Sequence, residues 1–282
     1  MTAPTSPPTA AAEITTWSKG YVSRHPAAAL RTVGRQVTLG QRAVRHLVTD
    51  IATRRFPFDE FAGQAAFMVK TALLPTVAVA LPISATLSIQ FGLLAGQVGA
   101  TALAGAASGL AVIRQSAPLV TAILLAAAVG SALCADLGSR KIRDEIDALE
   151  VMGISVLRRL VVPRLAAGVL VAMALTGVSC FVGFLAGYLF NVYVQDGTPG
   201  SYLATFSSFA TAGDLYLALL KGAVFGVLVV VIACEKGLNT RGGPGGVANS
   251  VNAAVVASIV VLMMVNLGCT QLYTMLFPRT TL

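Results

Sequence analysis

From Thr71 to Ile113 the chain carries no Asp, Glu, Lys or Arg. About 20 apolar residues are enough to cross a bilayer once. The charge-free stretch is longer than that, so it predicts one membrane span, a turn and the start of a second. Composition agrees. Apolar residues make up 56% of the chain and charged residues 11%, against a usual charged share of about 25% in soluble proteins. A soluble core of this apolarity is disfavoured.

The beginning of the chain has a different character. Residues 1–12, MTAPTSPPTAAA, lack the apolar h-region of a secretory signal. Residues 1–26 therefore read as a disordered tail on the side where the chain is made. Cys134, Cys180, Cys234 and Cys269 all fall inside apolar runs, where Cys behaves as a small hydrophobe. A disulfide framework is not expected. His25 and His46 share no ligand spacing, so neither a metal nor a cofactor is expected.

Residues 27–56 predict an amphipathic helix. Leu30, Val33, Val37, Val44, Leu47 and Ile51 recur at helical spacing, with Gly40 filling the gap. Arg31, Arg35, Arg42, Arg45, Arg54 and Arg55 lie in the same segment. Basic charge beside an apolar stripe marks a helix lying in the membrane interface. Pro57 ends it.

Five spans are expected, over 64–92, 109–135, 162–194, 214–234 and 251–277. Runs of small residues around Gly130 and Gly183 favour close helix contact. Pro75 and Pro82 predict a kinked or irregular first span, with freed carbonyls facing protein or a cavity. Sixteen of the twenty Lys and Arg residues fall in 1–60, 139–164 and 235–250, and the loops 93–108 and 195–213 hold none. That bias predicts a cytoplasmic N-terminus, a cytoplasmic 139–164 loop and an external C-terminus.

The charged run SRKIRDEIDALEVMG, from Ser139 to Gly153, stands out between two apolar spans. A helix over 142–153 places Ile142, Ile146, Leu149 and Met152 on one face. Arg143, Asp147 and Glu150 fall on the other, with Arg143 and Asp147 one turn apart as an ion pair. Gly153 is the expected stop. Glu145 falls among the apolar residues, and two readings follow. Either a partner supplies it with a cation, or it pairs with Lys141 in a solvated loop.

The segments AVGSALCADLGSRKIRDEIDALEVMG and RLVVPRLAAG, within 128–168, resemble the signature region of the MlaE/YrbE permease family. GTPGSYLATFSSFAT, EKGLNTRGGPGGVANSVN and VNLGCTQLY further resemble actinobacterial Mce-associated YrbE proteins of the A-type. The likeness covers 57–282. It implies an all-α membrane fold with an N-terminal interfacial helix and a bundle of five spans. It implies pairing with a second, B-type permease, ABC ATPase subunits on the cytoplasmic side and a ring or tube of MCE proteins on the periplasmic side, with lipid as substrate. It also implies that 142–153 is a coupling helix, with Glu145, Asp147, Glu150 and Met152 as contacts. Many members carry Arg where this chain has Ala127 or Ala128, so a role tied to that Arg does not transfer.

No G-x-x-x-x-G-K-[ST] phosphate loop occurs, so ATP hydrolysis is expected in a partner. Arg114 and Lys221 sit inside spans, where charge is costly. They read either as receivers of an anionic lipid headgroup or as snorkelling anchors. Leu81, Ile83, Leu87 and Ile89 in the first span, with Val261, Met264 and Leu267 in the last, are candidate cavity lining, or else helix packing and lipid-facing surface. An ion-coupled secondary lipid transporter would place an acid in mid-span, whereas Asp136, Asp214 and Glu235 lie near span ends. A non-transporting membrane scaffold of the MCE complex is the other alternative. It would tolerate charge changes in 142–153.

Overall fold

The structure is a computed structural model, and it describes residues 32–50, 52–53, 56–99, 104–194 and 197–276. Five helices among them are long and apolar enough to cross a membrane: Phe58–Gln97, Ala107–Ile142, Leu157–Val194, Ala212–Leu238 and Gly243–Met275. They are called the first to fifth spans. No strand occurs among the described residues. The fold is an all-helical membrane bundle preceded by an N-terminal helix.

Each span starts before its expected bound, and the first, second and fourth also end beyond it. The first runs as one helix of 40 residues through both Pro75 and Pro82. A proline removes one backbone donor, yet the helix continues on both sides. The hydroxyl of Thr86 donates to the Pro82 carbonyl at 2.9 Å. The second span is less regular, with π-helical turns at Val112–Ser116 and Leu125–Gly130. A π-turn leaves carbonyls to be satisfied from elsewhere. Ser131 Oγ donates to the Ala128 carbonyl at 3.0 Å, and Lys221 Nζ to the Arg114 carbonyl at 3.1 Å.

Small residues bring the third and fourth spans together. A Cβ on Gly168 would lie 2.4 Å from Val230 Cγ2, and one on Gly226 would lie 2.7 Å from the Gly168 carbonyl oxygen. Only glycine permits that approach, and close backbones gain dispersion where water supplies no drive. The core runs through Leu125, Val129, Leu133, Leu165, Phe225 and Val229. The first span packs mainly on the third, and the fifth on the fourth and second. The first and fifth spans are the least covered, with 28% and 22% of their apolar windows buried.

The N-terminal helix covers 32–50. The expected residues 27–31, with Leu30 and Arg31, and also Ile51, Arg54 and Arg55, lie outside the described residues, as does the 1–26 tail. The expected single apolar stripe is split. Val33, Val37 and Val44 point outward, while Leu39, Ala43 and Leu47 pack against the bundle. One apolar set packs on the bundle and the other turns away from it.

Two connections differ from the sequence reading. The 195–213 segment contains a helix, Pro199–Phe209. It seats the rings of Tyr202 and Phe206 over Gly105 and Gly109, where a Cβ would come within 2.6 and 2.5 Å. The charged segment is also not one helix over 142–153, as described next.

Candidate functional site

The second span ends at Ile142. The chain then turns through Asp144, which adopts a left-handed φ of 57°, a conformation that Asp tolerates better than most residues. A separate short helix, Glu145–Val151, follows. Its end is closed by hydrogen bonds from the Gly153 N–H to the Glu150 carbonyl at 3.0 Å and from the Ile154 N–H to the Leu149 carbonyl at 2.9 Å. Gly153 has φ +75°. This paired arrangement is a Schellman stop, so Gly153 ends the helix as its spacing suggested.

The break re-aims the helix. Ile146 is its anchor, 4% exposed in the bundle core, with Leu149 packed beside it. Ile142 belongs to the preceding span and is half-buried. Met152 leaves the apolar face altogether. It is 64% exposed, next to Val151 at 89%. The ion pairs also differ from those expected. Arg143 Nε donates to Glu145 Oε1 at 2.8 Å, and Lys141 pairs with Asp147. Glu145 is exposed and lies off the buried face. With Glu150 also exposed, the hairpin offers Val151 and Met152 bare beside the Arg143–Glu145 and Lys141–Asp147 pairs.

Ion pairs tie this hairpin to the rest of the molecule. Arg158 donates to both carboxylate oxygens of the buried Asp50, with Nε to Oδ2 at 2.9 Å. Asp136, at the end of the second span, pairs with the buried Arg164 of the third and with Arg140. Arg35 Nε donates to Glu235 Oε1 at 3.1 Å, joining the N-terminal helix to the fourth span. Described residues from all three basic segments of the sequence therefore meet at one end of the bundle. Charge-assisted contacts that bind two oxygens of one carboxylate fix geometry as well as energy.

The opposite end holds a second charged cluster. Asp214, 0% exposed, accepts from Arg114 Nε at 2.8 Å. It also accepts from the Thr211 N–H and hydroxyl at 3.0 Å each and from the Tyr273 hydroxyl at 3.3 Å. Lys221, 2% exposed, donates to Thr270 Oγ1 at 2.9 Å as well as to the Arg114 carbonyl. Lys221 is built into the packing of the second, fourth and fifth spans, whereas the Arg114 side chain, 31% exposed, is turned to Asp214.

The apolar candidates are spread over separate surfaces. Leu81 lines a groove of about 410 Å³ between the first and third spans, with Val182, Leu185, Leu189 and Tyr193. Ile83 and Leu87 line another hollow of about 270 Å³ with Pro82 and Thr86. Ile89 and Val261 are half-buried. Met264 and Leu267 are largely exposed on the fifth span. The first and fifth spans flank the bundle without packing extensively on one another, so among the described residues the two sets lie on separate surfaces.

A family model for the permease MlaE matches residues 61–272. The chain belongs to the MlaE permease family. Among curated relatives, a probable ABC transporter permease protein of Synechocystis is 36% identical over 168 residues, covering 60% of this chain and 64% of the relative. A probable ABC transporter permease protein of Rickettsia bellii is 27% identical over 164 residues, covering 58% and 63%. The chloroplastic protein TRIGALACTOSYLDIACYLGLYCEROL 1 of Arabidopsis thaliana is 31% identical over 173 residues, covering 61% and 49%. The aligned part of this MlaE-family chain thus spans less than two thirds of each of these relatives. With its five apolar helices, this family member is a multi-pass membrane protein.

Sequence reasoning placed Asp136, Asp214 and Glu235 near span ends but missed Asp50 and the cations that pair with all four in this MlaE-family chain. Asp50, Asp214 and Glu235 are buried, where a carboxylate demands a cation. Thr211-x-x-Asp214 is also a capping-box pattern, and the box forms at the start of the fourth span. Those signals mark Asp214 as a held residue, though not Arg114 as its partner a hundred positions away.

Proposed function

We propose that this chain is the transmembrane permease subunit of an Mce-type ABC lipid transporter, of the actinobacterial YrbE A-type. It pairs with a second, B-type permease and is driven by a separate ATPase. It moves a fatty acid, sterol or phospholipid between MCE proteins and the inner membrane. One observation carries the reading: the helix Glu145–Val151 is anchored by Ile146 yet presents Val151 and Met152 bare. Exposed apolar side chains in a charged, water-facing hairpin cost free energy until another surface covers them. A motor docked there pushes on the ends of the second and third spans together, because Arg164 and Asp136 clamp those ends. Glu145, Asp147 and Glu150 supply the polar rim of that contact, and Ile142, Leu149 and Gly153 hold its shape.

The hairpin end is cytoplasmic in this reading, with the Lys and Arg bias on that side, and the Pro199–Phe209 helix is periplasmic. The exposed first and fifth spans meet the second permease. Leu81, Ile83, Leu87 and Ile89 would then face Val261, Met264 and Leu267 only across two chains. Arg114 and Lys221 lie at the periplasmic end, where a lipid arriving from MCE proteins presents its headgroup. Lys221 is buried and Arg114 is partly exposed and paired with Asp214, so they shape the entrance and its positive potential.

The test is Glu145→Lys with Met152→Glu in cells. Loss of ATPase co-purification and of lipid uptake, with normal membrane insertion, is the expected result. Retention of both would refute the coupling role. Labelling a Cys placed at Ser155 with an impermeant reagent on intact cells reads the orientation, and rapid labelling would reverse it.

A further inference from the structure

A polar cavity of about 310 Å³ lies at the hairpin end of the bundle, separate from the hairpin itself. It opens between the N-terminal helix, the end of the fourth span and the turn into the fifth. Arg35, Lys236 and Arg241 surround one acid, Glu235. Arg241 makes no ion pair among the described residues.

Glu235 is 1% exposed, and its two oxygens are treated unequally. Oε1 accepts from Arg35 Nε at 3.1 Å and from Asn239 Nδ2 at 3.3 Å. Oε2 has no hydrogen-bond donor among the described residues. Lys236 Nζ stands 3.9 Å from it, beyond hydrogen-bond reach. A buried carboxylate oxygen without a donor is costly, and Glu235 is part of the cavity wall.

The cavity also meets the start of the fifth-span helix, which begins at Gly243 and runs 34 residues. Gly246 lines the cavity, so the positive end of that helix faces it. The turn is fixed by glycine. Gly242 and Gly243 have φ of +87° and +73°, and a Cβ on Gly246 would lie 1.7 Å from the Arg241 carbonyl oxygen. Arg241 is thereby held beside the helix start.

Two demands coexist here. The cations and the helix end call for an anion, and Glu235 Oε2 calls for an N–H donor. A phosphodiester that also bears a primary ammonium meets both. A choline group has no N–H to give, and a glycerol group has no positive charge.

We propose that this cavity binds a phosphoethanolamine group, the headgroup of an aminophospholipid from the adjoining leaflet. The phosphate lies against Arg241 and Lys236, and the ammonium donates to Glu235 Oε2. The N-terminal helix forms one wall of the cavity through Arg35 and turns Val33, Val37 and Val44 outward, so acyl chains have an apolar surface beside the headgroup. The site lies at the opposite end of the bundle from Arg114 and Lys221. It does not depend on the transport reading.

The test uses the full purified chain in detergent, titrated with dihexanoyl phosphatidylethanolamine, its N-methylated series up to phosphatidylcholine, dihexanoyl phosphatidylglycerol and glycerophosphoethanolamine. Phosphatidylethanolamine is expected to bind at least about tenfold more tightly than phosphatidylcholine or phosphatidylglycerol, a difference of about 1.4 kcal/mol. Affinity should fall with each N-methyl group. Arg241→Gln should weaken all the phospholipids, and Glu235→Gln should abolish the preference over phosphatidylcholine. The methylation series reads the same donor without altering the protein, should Glu235→Gln fail to fold. Equal affinity across the series, or no effect of Arg241→Gln, overturns the proposal. Glycerophosphoethanolamine binding as tightly as the lipid would overturn the leaflet as the source.

Discussion

Asp50 and Arg158, 108 positions apart, join the end of the N-terminal helix to the residues that leave the charged hairpin. The pair is lopsided. Asp50 is buried, whereas the Arg158 side chain is 45% exposed. Removing the cation strands a buried carboxylate, while removing the acid leaves an arginine that water can solvate. Arg158→Ala should therefore lower the melting temperature of the purified chain by more than Asp50→Asn does, and the double variant should recover part of the loss. Equal single effects would mean that the pair is not coupled in this way.

Met152 and Val151 carry the proposed docking energy. Covering one such side chain is worth about 1.5–3 kcal/mol, so Met152→Glu should weaken ATPase association by on the order of tenfold or more. Ile146→Ala acts differently, because Ile146 anchors the helix in the core. It should lower stability by about 2–5 kcal/mol. Pull-down of the ATPase and thermal unfolding in detergent separate the two effects.

The spans were legible in the sequence because hydropathy and length together leave few alternatives. Their true ends were not. Helices such as Phe58–Gln97 outrun the apolar window and continue into polar sequence. The hairpin was legible as charge between spans, but its pairing was not. The left-handed turn at Asp144 shifts the helix start, so Arg143 meets Glu145 and Lys141 meets Asp147. A wheel drawn through 142–153 assumes an unbroken helix and puts Met152 on the wrong side. Contacts between distant residues, such as Arg114 with Asp214, need tertiary structure and leave no local pattern.

Gly105 and Gly109 are notches for Tyr202 and Phe206. A methyl group at either forces a ring to move, at a cost of about 1–3 kcal/mol. The Pro199–Phe209 helix should then detach before the bundle does. Gly109→Ala should raise the reactivity of a Cys placed at the half-buried Thr205 by several-fold, with no change in chain insertion. Unchanged reactivity would indicate that the helix accommodates the methyl group in place.

Arg114→Ala alone cannot separate a substrate role from a structural one. Asp214 is wholly buried, and Arg114 is the cation against it. Stranding a buried partner costs about 3–5 kcal/mol, so Arg114→Ala should reduce the amount of chain in the membrane. Arg114→Ala with Asp214→Asn removes both charges and should restore that amount, since the Thr211 and Tyr273 contacts remain available to an amide. Lipid uptake by this double variant, normalised to chain level, is then the informative measurement. Uptake below about a tenth of normal would assign Arg114 to the headgroup entrance, whereas normal uptake would leave it as the internal counter-charge of Asp214. Lys221→Met gives an independent reading. It fills the same volume but leaves the Arg114 carbonyl and Thr270 without their donor, at about 1–3 kcal/mol. A loss of uptake at normal protein level in that variant would place the positive charge itself in the lipid path.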